Sequence, residues 1–115
     1  MSENYILKQT EENGIVIFSI VGYFGEKVGE ELVEKIEELL CAKKGRVILD
    51  LSECTVLCSP GIGSIIEIVG MVVEEYNGTV VICGLDPIKQ KVLALTQVTA
   101  IARVAKDLQD AKKIA

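Results

Sequence analysis

Ser59 is the residue of this chain best placed to carry chemistry. It follows Cys58, precedes Pro60-Gly61-Ile62-Gly63, and comes shortly after the apolar run Ile48-Leu49-Asp50-Leu51. A buried strand that delivers a serine to the mouth of a glycine-bearing helix leaves one hydroxyl where a negative group can be added without disrupting the fold, because the free N–H groups of a helix start favour negative charge. That arrangement suits a switch better than an active site.

The rest of the inventory argues against catalysis. There is no histidine in the 115 residues, so neither Ser-His-Asp nor Cys-His chemistry can be assembled, and no Ser-x-x-Lys spacing supplies a lysine base. Gly61-Ile62-Gly63 has Ile66 where a dinucleotide fingerprint needs its third glycine, and nothing resembles a P-loop. The four cysteines, 41, 54, 58 and 83, contain no Cys-x-x-Cys pair, and without histidine they do not form a zinc pattern. Cys41 and Cys83 fall at apolar positions and read as small hydrophobes. Cys58 sits beside a helix start, where a thiol can ionise more readily, yet no resolving cysteine or base accompanies it. Asp50 and Glu53 are assigned to a strand and a loop, with capping or solvated roles. The expectation is no catalytic residue, no cofactor and no metal.

The elements that must position Ser59 follow from periodicity. Residues 5–9 read as a short strand and 10–14 as a turn. The β-branched run 15–21 is a buried strand that pairs back on the first as an antiparallel hairpin. Residues 22–25 end it. Val28, Leu32, Val33, Ile36, Leu39 and Leu40 give residues 26–43 one apolar helical face, stopped by Gly45. A third strand covers 46–51, a connection 52–58, and a second helix begins at Ser59 and stops at Asn77-Gly78. Residues 79–84 are a fourth strand. Asp86-Pro87 opens a third helix as N-cap and first helical residue, reaching Leu95. Residues 100–104 and 106–114 supply a last strand and a closing helix. The order is that of an α/β protein with a mixed, mostly parallel sheet of four to five strands and about four helices joined by right-handed crossovers.

Composition sets the outer limits. One domain, 1–115, is expected at this length. Half the residues are apolar and only five are aromatic, which suits strands buried on both faces and built from Val, Ile and Leu. The net charge is −5, with no basic block larger than Lys43-Lys44 or Lys112-Lys113, so nucleic acid is not an expected partner. No apolar run is long enough to span a bilayer, and residues 1–4 do not open like a secretory leader. A cytoplasmic location without membrane insertion, and a monomer or weak dimer, are the resulting expectations.

With this order of elements, Asp50-Leu51 and Ser59-x-Gly61-Ile62-Gly63 resemble the STAS domain, and within it the small anti-sigma factor antagonists (SpoIIAA-like). There a strand ends in Asp-Leu and a helix opens with Asp-Ser-Ser-Gly-Leu-Gly or Asp-Ser-Thr-Gly-Leu-Gly. Gly22 and Gly84-Leu85-Asp86-Pro87 also match in position. The resemblance implies a SpoIIAA-like fold without catalytic activity, Ser59 as the phosphoacceptor, and two protein partners: a kinase-like anti-sigma factor, bound only by the unphosphorylated form, and a phosphatase. Three positions depart from the pattern: Cys58 replaces an aspartate, Pro60 a second Ser or Thr, and Gly25 another aspartate. The implied contact surface, Tyr23, Phe24, Gly25, Leu57, Cys58, Pro60, Gly61, Ile62 and Gly63, is therefore apolar and uncharged. A STAS subunit of a transporter or signalling assembly, never phosphorylated, is the alternative that these departures raise.

Overall fold

The computed structural model describes residues 4–115, so residues 1–3 of the leader reading lie outside the described residues. The chain order is β1 (Tyr5–Glu12), β2 (Ile15–Phe24), α1 (Glu26–Cys41), β3 (Arg46–Asp50), β4 (Cys54–Leu57), α2 (Ser59–Val69), a π-helical turn (Gly70–Glu75), β5 (Thr79–Cys83), α3 (Pro87–Leu95), a 3-10 turn (Val98–Ala100), β6 (Arg103–Ala105) and α4 (Leu108–Ile114).

One sheet runs β1-β2-β3-β5-β6, with β4 added beside β2. Among the described residues only β1 is antiparallel to its neighbour; the other pairs are parallel. The period of two along each strand sends side chains to two layers. Val16, Phe18, Ile20, Val47, Leu49, Val80 and Ile82 enter the main core with Leu32 and Ile36 of α1, Ile65 and Ile68 of α2, and Leu93 of α3. Ile15, Ile17, Ile48, Val81 and Cys83 face the other way and pack with Ala111 of α4. Burial on both faces explains why the central strands read as continuous β-branched runs.

The hairpin turn is tighter than residues 10–14. It is Asn13-Gly14, both at positive φ, the arrangement that matches the twist of two antiparallel strands, and it lets β1 extend to Glu12. Tyr5 ties this strand to α1 by donating its hydroxyl to Glu31 Oε1 at 2.9 Å. α1 is shorter than 26–43: Lys43 takes φ +63° and Lys44 N–H donates to the Leu39 carbonyl at 2.8 Å, so the helix closes at Cys41, four residues before Gly45. Gly45 has a packing reason instead, since a side chain there would strike the Tyr76 ring.

Two further differences shape the site. β2 does not end at Gly22 but passes through it at φ +89°, with a register shift against β4, and continues to Phe24. The stretch 52–58 is not only a connection: after a turn in which Asp50 Oδ1 accepts from Ser52 N–H at 3.0 Å, residues 54–57 form β4. β3 pairs with Val16–Ser19 of β2, and β4 takes up the same edge from Gly22 to Phe24.

At the far end, Asp86 caps α3 by accepting from Lys89 N–H at 2.8 Å, as expected from Asp-Pro. Asp107 caps α4 by accepting from Asp110 N–H at 2.9 Å. Asp107→Ala is expected to cost about 1 kcal/mol, checked by urea denaturation with an unchanged slope.

Candidate functional site

β2 and β4 end side by side at Phe24 and Leu57, and α2 starts two residues later. The N-cap is Cys58, in extended conformation, with its N–H donating to the Phe24 carbonyl at 3.2 Å and its carbonyl accepting from Ile62 N–H at 3.0 Å. Ser59 is therefore not a capping residue. It occupies the first helical position, exposed, with no hydrogen-bond partner for its hydroxyl among the described residues. Pro60 follows at a position whose N–H would be free in any case, so proline costs the helix nothing there.

The nine positions named around Ser59 do not form one surface. Pro60 and Gly63 are exposed, while Tyr23, Leu57, Cys58 and Ile62 are half-buried. Phe24, by contrast, is 0% exposed and part of the core, and Gly25 and Gly61 are buried. These three lie beneath the surface of the chain, unlike the other six positions expected to make contacts. Gly61 faces the Phe24 carbonyl so closely that an added Cβ would overlap it, with the Phe24 ring 2.7 Å away. A Cβ at Gly63 would meet nothing within 4 Å. The two glycines serve different ends: Gly61 lets α2 dock on β2, and Gly63 leaves open space beside the serine.

The cysteines sort differently from their sequence reading as well. Cys83 is buried, as expected, but Cys41 is exposed at the end of α1 and it is Cys54 that is buried. Cys54 and Cys58 each direct the thiol to a backbone carbonyl, Val56 and Phe24, at 3.4 Å. All four are free thiols. Among the described residues no cluster of three or more His, Cys, Asp or Glu side chains could hold a metal ion, and no helix is long and apolar enough to cross a membrane.

Charge is sparse around the serine. The ion pairs found, Lys44–Glu11, Lys89–Asp86, Lys112–Glu12 and Lys113–Asp110, involve neither Ser59 nor the residues flanking it. Next to it lies an apolar groove that the sequence reading missed. Thr55 and Leu57 of β4 form one wall and Ile88, Lys89 and Val92 of α3 the other, with Asp86, ion-paired to Lys89, also lining the space of about 220 Å³. Ile88 is 76% exposed. The signal was present in the apolar residues 88, 92 and 95 at helical spacing, but it needed β4 as a strand to become a groove.

A matching family model covers residues 7–111, and its description is the STAS domain. The chain belongs to the STAS domain family. No curated protein matches it in sequence. Among solved structures, an anti-sigma factor antagonist from Mycobacterium paratuberculosis superposes with a TM-score of 0.83 at 17% identity, covering 99% of this chain and 96% of that one. A putative anti-sigma factor antagonist from Thermotoga maritima gives 0.83 at 16%, over 94% and 92%. The Bacillus cell fate determinant SpoIIAA in its phosphorylated form gives 0.74 at 14%, over 97% and 100%. The SpoIIAA-like STAS fold expected from sequence is thus the fold observed, with β4 as the strand that the sequence reading left as connection. At these identities the likeness concerns the fold.

Proposed function

We propose that this STAS domain is an anti-sigma factor antagonist that works by partner switching. Unmodified, it binds a kinase-like anti-sigma factor; phosphorylated on Ser59, it is released, and a phosphatase restores it. It acts by binding rather than catalysis, in the cytoplasm. The observation that carries this reading is the exposed, unbonded Ser59 at the first position of α2, ringed by half-buried apolar side chains. Because no hydrogen bond among the described residues depends on its hydroxyl, a phosphate can be added at no cost to the fold.

The physical effect of the phosphate is large at the surface. It adds about 1.5 to 2 negative charges to a rim formed by Leu57, Cys58, Pro60 and Ile62, none of which can neutralise it. The dipole of α2 favours that charge in the free protein, but a partner seated on the rim would have to desolvate it without a compensating cation. The same apolar rim supports a second reading, a STAS subunit held permanently in a transporter or signalling assembly. An apolar rim beside the Ile88 groove is suited to lasting burial.

Affinity capture from lysate of the source organism, with wild-type, Ser59→Asp and Ser59→Ala baits, tests this. A kinase-like protein held by wild type and Ser59→Ala but weakened at least about tenfold by Ser59→Asp is expected, and incubation with ATP should add one phosphate to wild type only. A transporter or scaffold component held equally by all three baits would replace partner switching with the subunit reading.

A further inference from the structure

Among the described residues, three strands have one edge without a partner strand: β1, β4 and β6. Two are poor templates for another strand. β6 has three residues, and β4 has four with a register shift against β2. β1 has eight residues paired to β2 in unbroken register, without proline or bulge. A long, regular open edge invites a further strand unless it is blunted.

The backbone groups on that edge can be assigned. Tyr23 N–H donates to the Asn4 carbonyl at 3.0 Å, and Tyr5 stands opposite Gly22. Asn4 and Tyr23 are thus a hydrogen-bonded pair, and bonding to β2 alternates from there through Ile6, Lys8, Thr10 and Glu12. The N–H and C=O groups of Tyr5, Leu7, Gln9 and Glu11 point away from the sheet.

We propose that β1 pairs with β1 of a second copy, antiparallel, about a two-fold axis at Thr10. Charge selects this register. With Thr10 on the axis, Lys8 faces Glu12 of the second copy on both sides, and Gln9 and Glu11 exchange backbone hydrogen bonds. Lys8 and Glu12 then form a non-hydrogen-bonded pair, the type with the closer side chains. Glu12 already holds Lys112 at 2.9 Å, so each carboxylate gains a second cation. Every neighbouring register pairs its side chains less favourably. Lys8 on the axis opposes two lysines, Glu11 on the axis opposes two glutamates, Gln9 places Ile6 and Leu7 against Glu12 and Glu11, and Leu7 places Lys8 against Ile6.

The axis stands perpendicular to the sheet, so both copies keep α1, α2 and α3 on one side and the sheet becomes continuous. It reverses strand direction between copies, which puts the two Ser59 residues at opposite ends and leaves both uncovered. The pairing does not depend on how Ser59 works.

Sedimentation equilibrium of the full chain over a concentration series is the test. Wild type is expected to show a monomer–dimer equilibrium that weakens with added salt. Gln9→Pro removes an outward N–H without touching the β2 ladder and should abolish the dimer, while circular dichroism stays unchanged. Lys8→Glu should weaken it about tenfold, and Lys8→Glu/Glu12→Lys should restore it. Wild type monomeric at every concentration would overturn the proposal. So would a dimer indifferent to Gln9→Pro and Lys8→Glu, which would move the contact to another face such as the exposed Ile88 and Leu95 of α3.

Discussion

Gly61→Val is expected to destabilise the protein by about 3 kcal/mol, whereas Gly63→Val leaves its stability unchanged within about 0.5 kcal/mol. The two residues are neighbours in one motif and in one turn of α2, so the difference must come from what each faces. A side chain at 61 collides with the Phe24 carbonyl, a backbone atom held in place by the Cys58 N–H bond, and with the Phe24 ring. Relief requires α2 to lift off β2, which opens the core around a phenylalanine that is wholly buried. A side chain at 63 extends into open space, and valine replaces the least favourable ordinary helix former with a slightly better one. Partner capture should separate them in the opposite sense. Gly63→Val, folded but with a branched side chain beside Ser59, is expected to lose the partner. Thermal melts and capture assays on both variants check this; equal melting temperatures would remove the packing role assigned to Gly61.

Above pH 9 the protein should lose stability steeply, and Cys83 should account for much of the loss. Its thiol is buried and lies beside the Asp50 carboxylate, and these together push its pKa from 9.0 up to about 12. Below pH 9 the folded and unfolded chains both hold the proton. Between 9 and 12 only the unfolded chain releases it, so the folded state binds more protons and each pH unit costs about 1.4 kcal/mol of stability. Over the full interval that approaches about 4 kcal/mol, a large share of what an ordinary domain has. Cys54, shifted upward chiefly by burial, acts in the same direction. Cys83→Ala removes the thiol at the cost of a small cavity between β5 and α4, so it should start less stable and fall less steeply from pH 9 to 11. Identical slopes for wild type and variant would show that Cys83 ionisation does not govern the alkaline limit.

Much of this was legible in the residues alone, for physical reasons that are local. The runs Ile15–Phe18, Val47–Leu49 and Val80–Cys83 announce strands buried on both faces because apolar residues occupy both parities over each. The 3.6-residue recurrence from Val28 to Ile36 announces α1 because one face must meet the sheet. Asp86-Pro87 announces a helix start because the aspartate can accept an N–H of the first turn and proline lacks one to lose. Ser59 stands out for a comparable reason, as a short polar residue between a buried strand and a glycine-bearing helix.

What escaped was decided by contacts between distant residues. β4 has only four residues, two of them exposed, and becomes a strand only because β2 continues past Gly22 and offers an edge that β3 has already left. Cys58 caps α2, because the chain turns where Phe24 accepts the Cys58 N–H. Phe24 and Gly61 resemble surface residues of a motif in one dimension and are a packed pair in three. The amino-acid sequence by itself determined the α/β order and the serine at a helix mouth, since periodicity and capping act within a few residues. Only the tertiary structure decided which of the motif's neighbours reach solvent and where a groove lies beside them, because burial depends on which remote segments the sheet brings alongside.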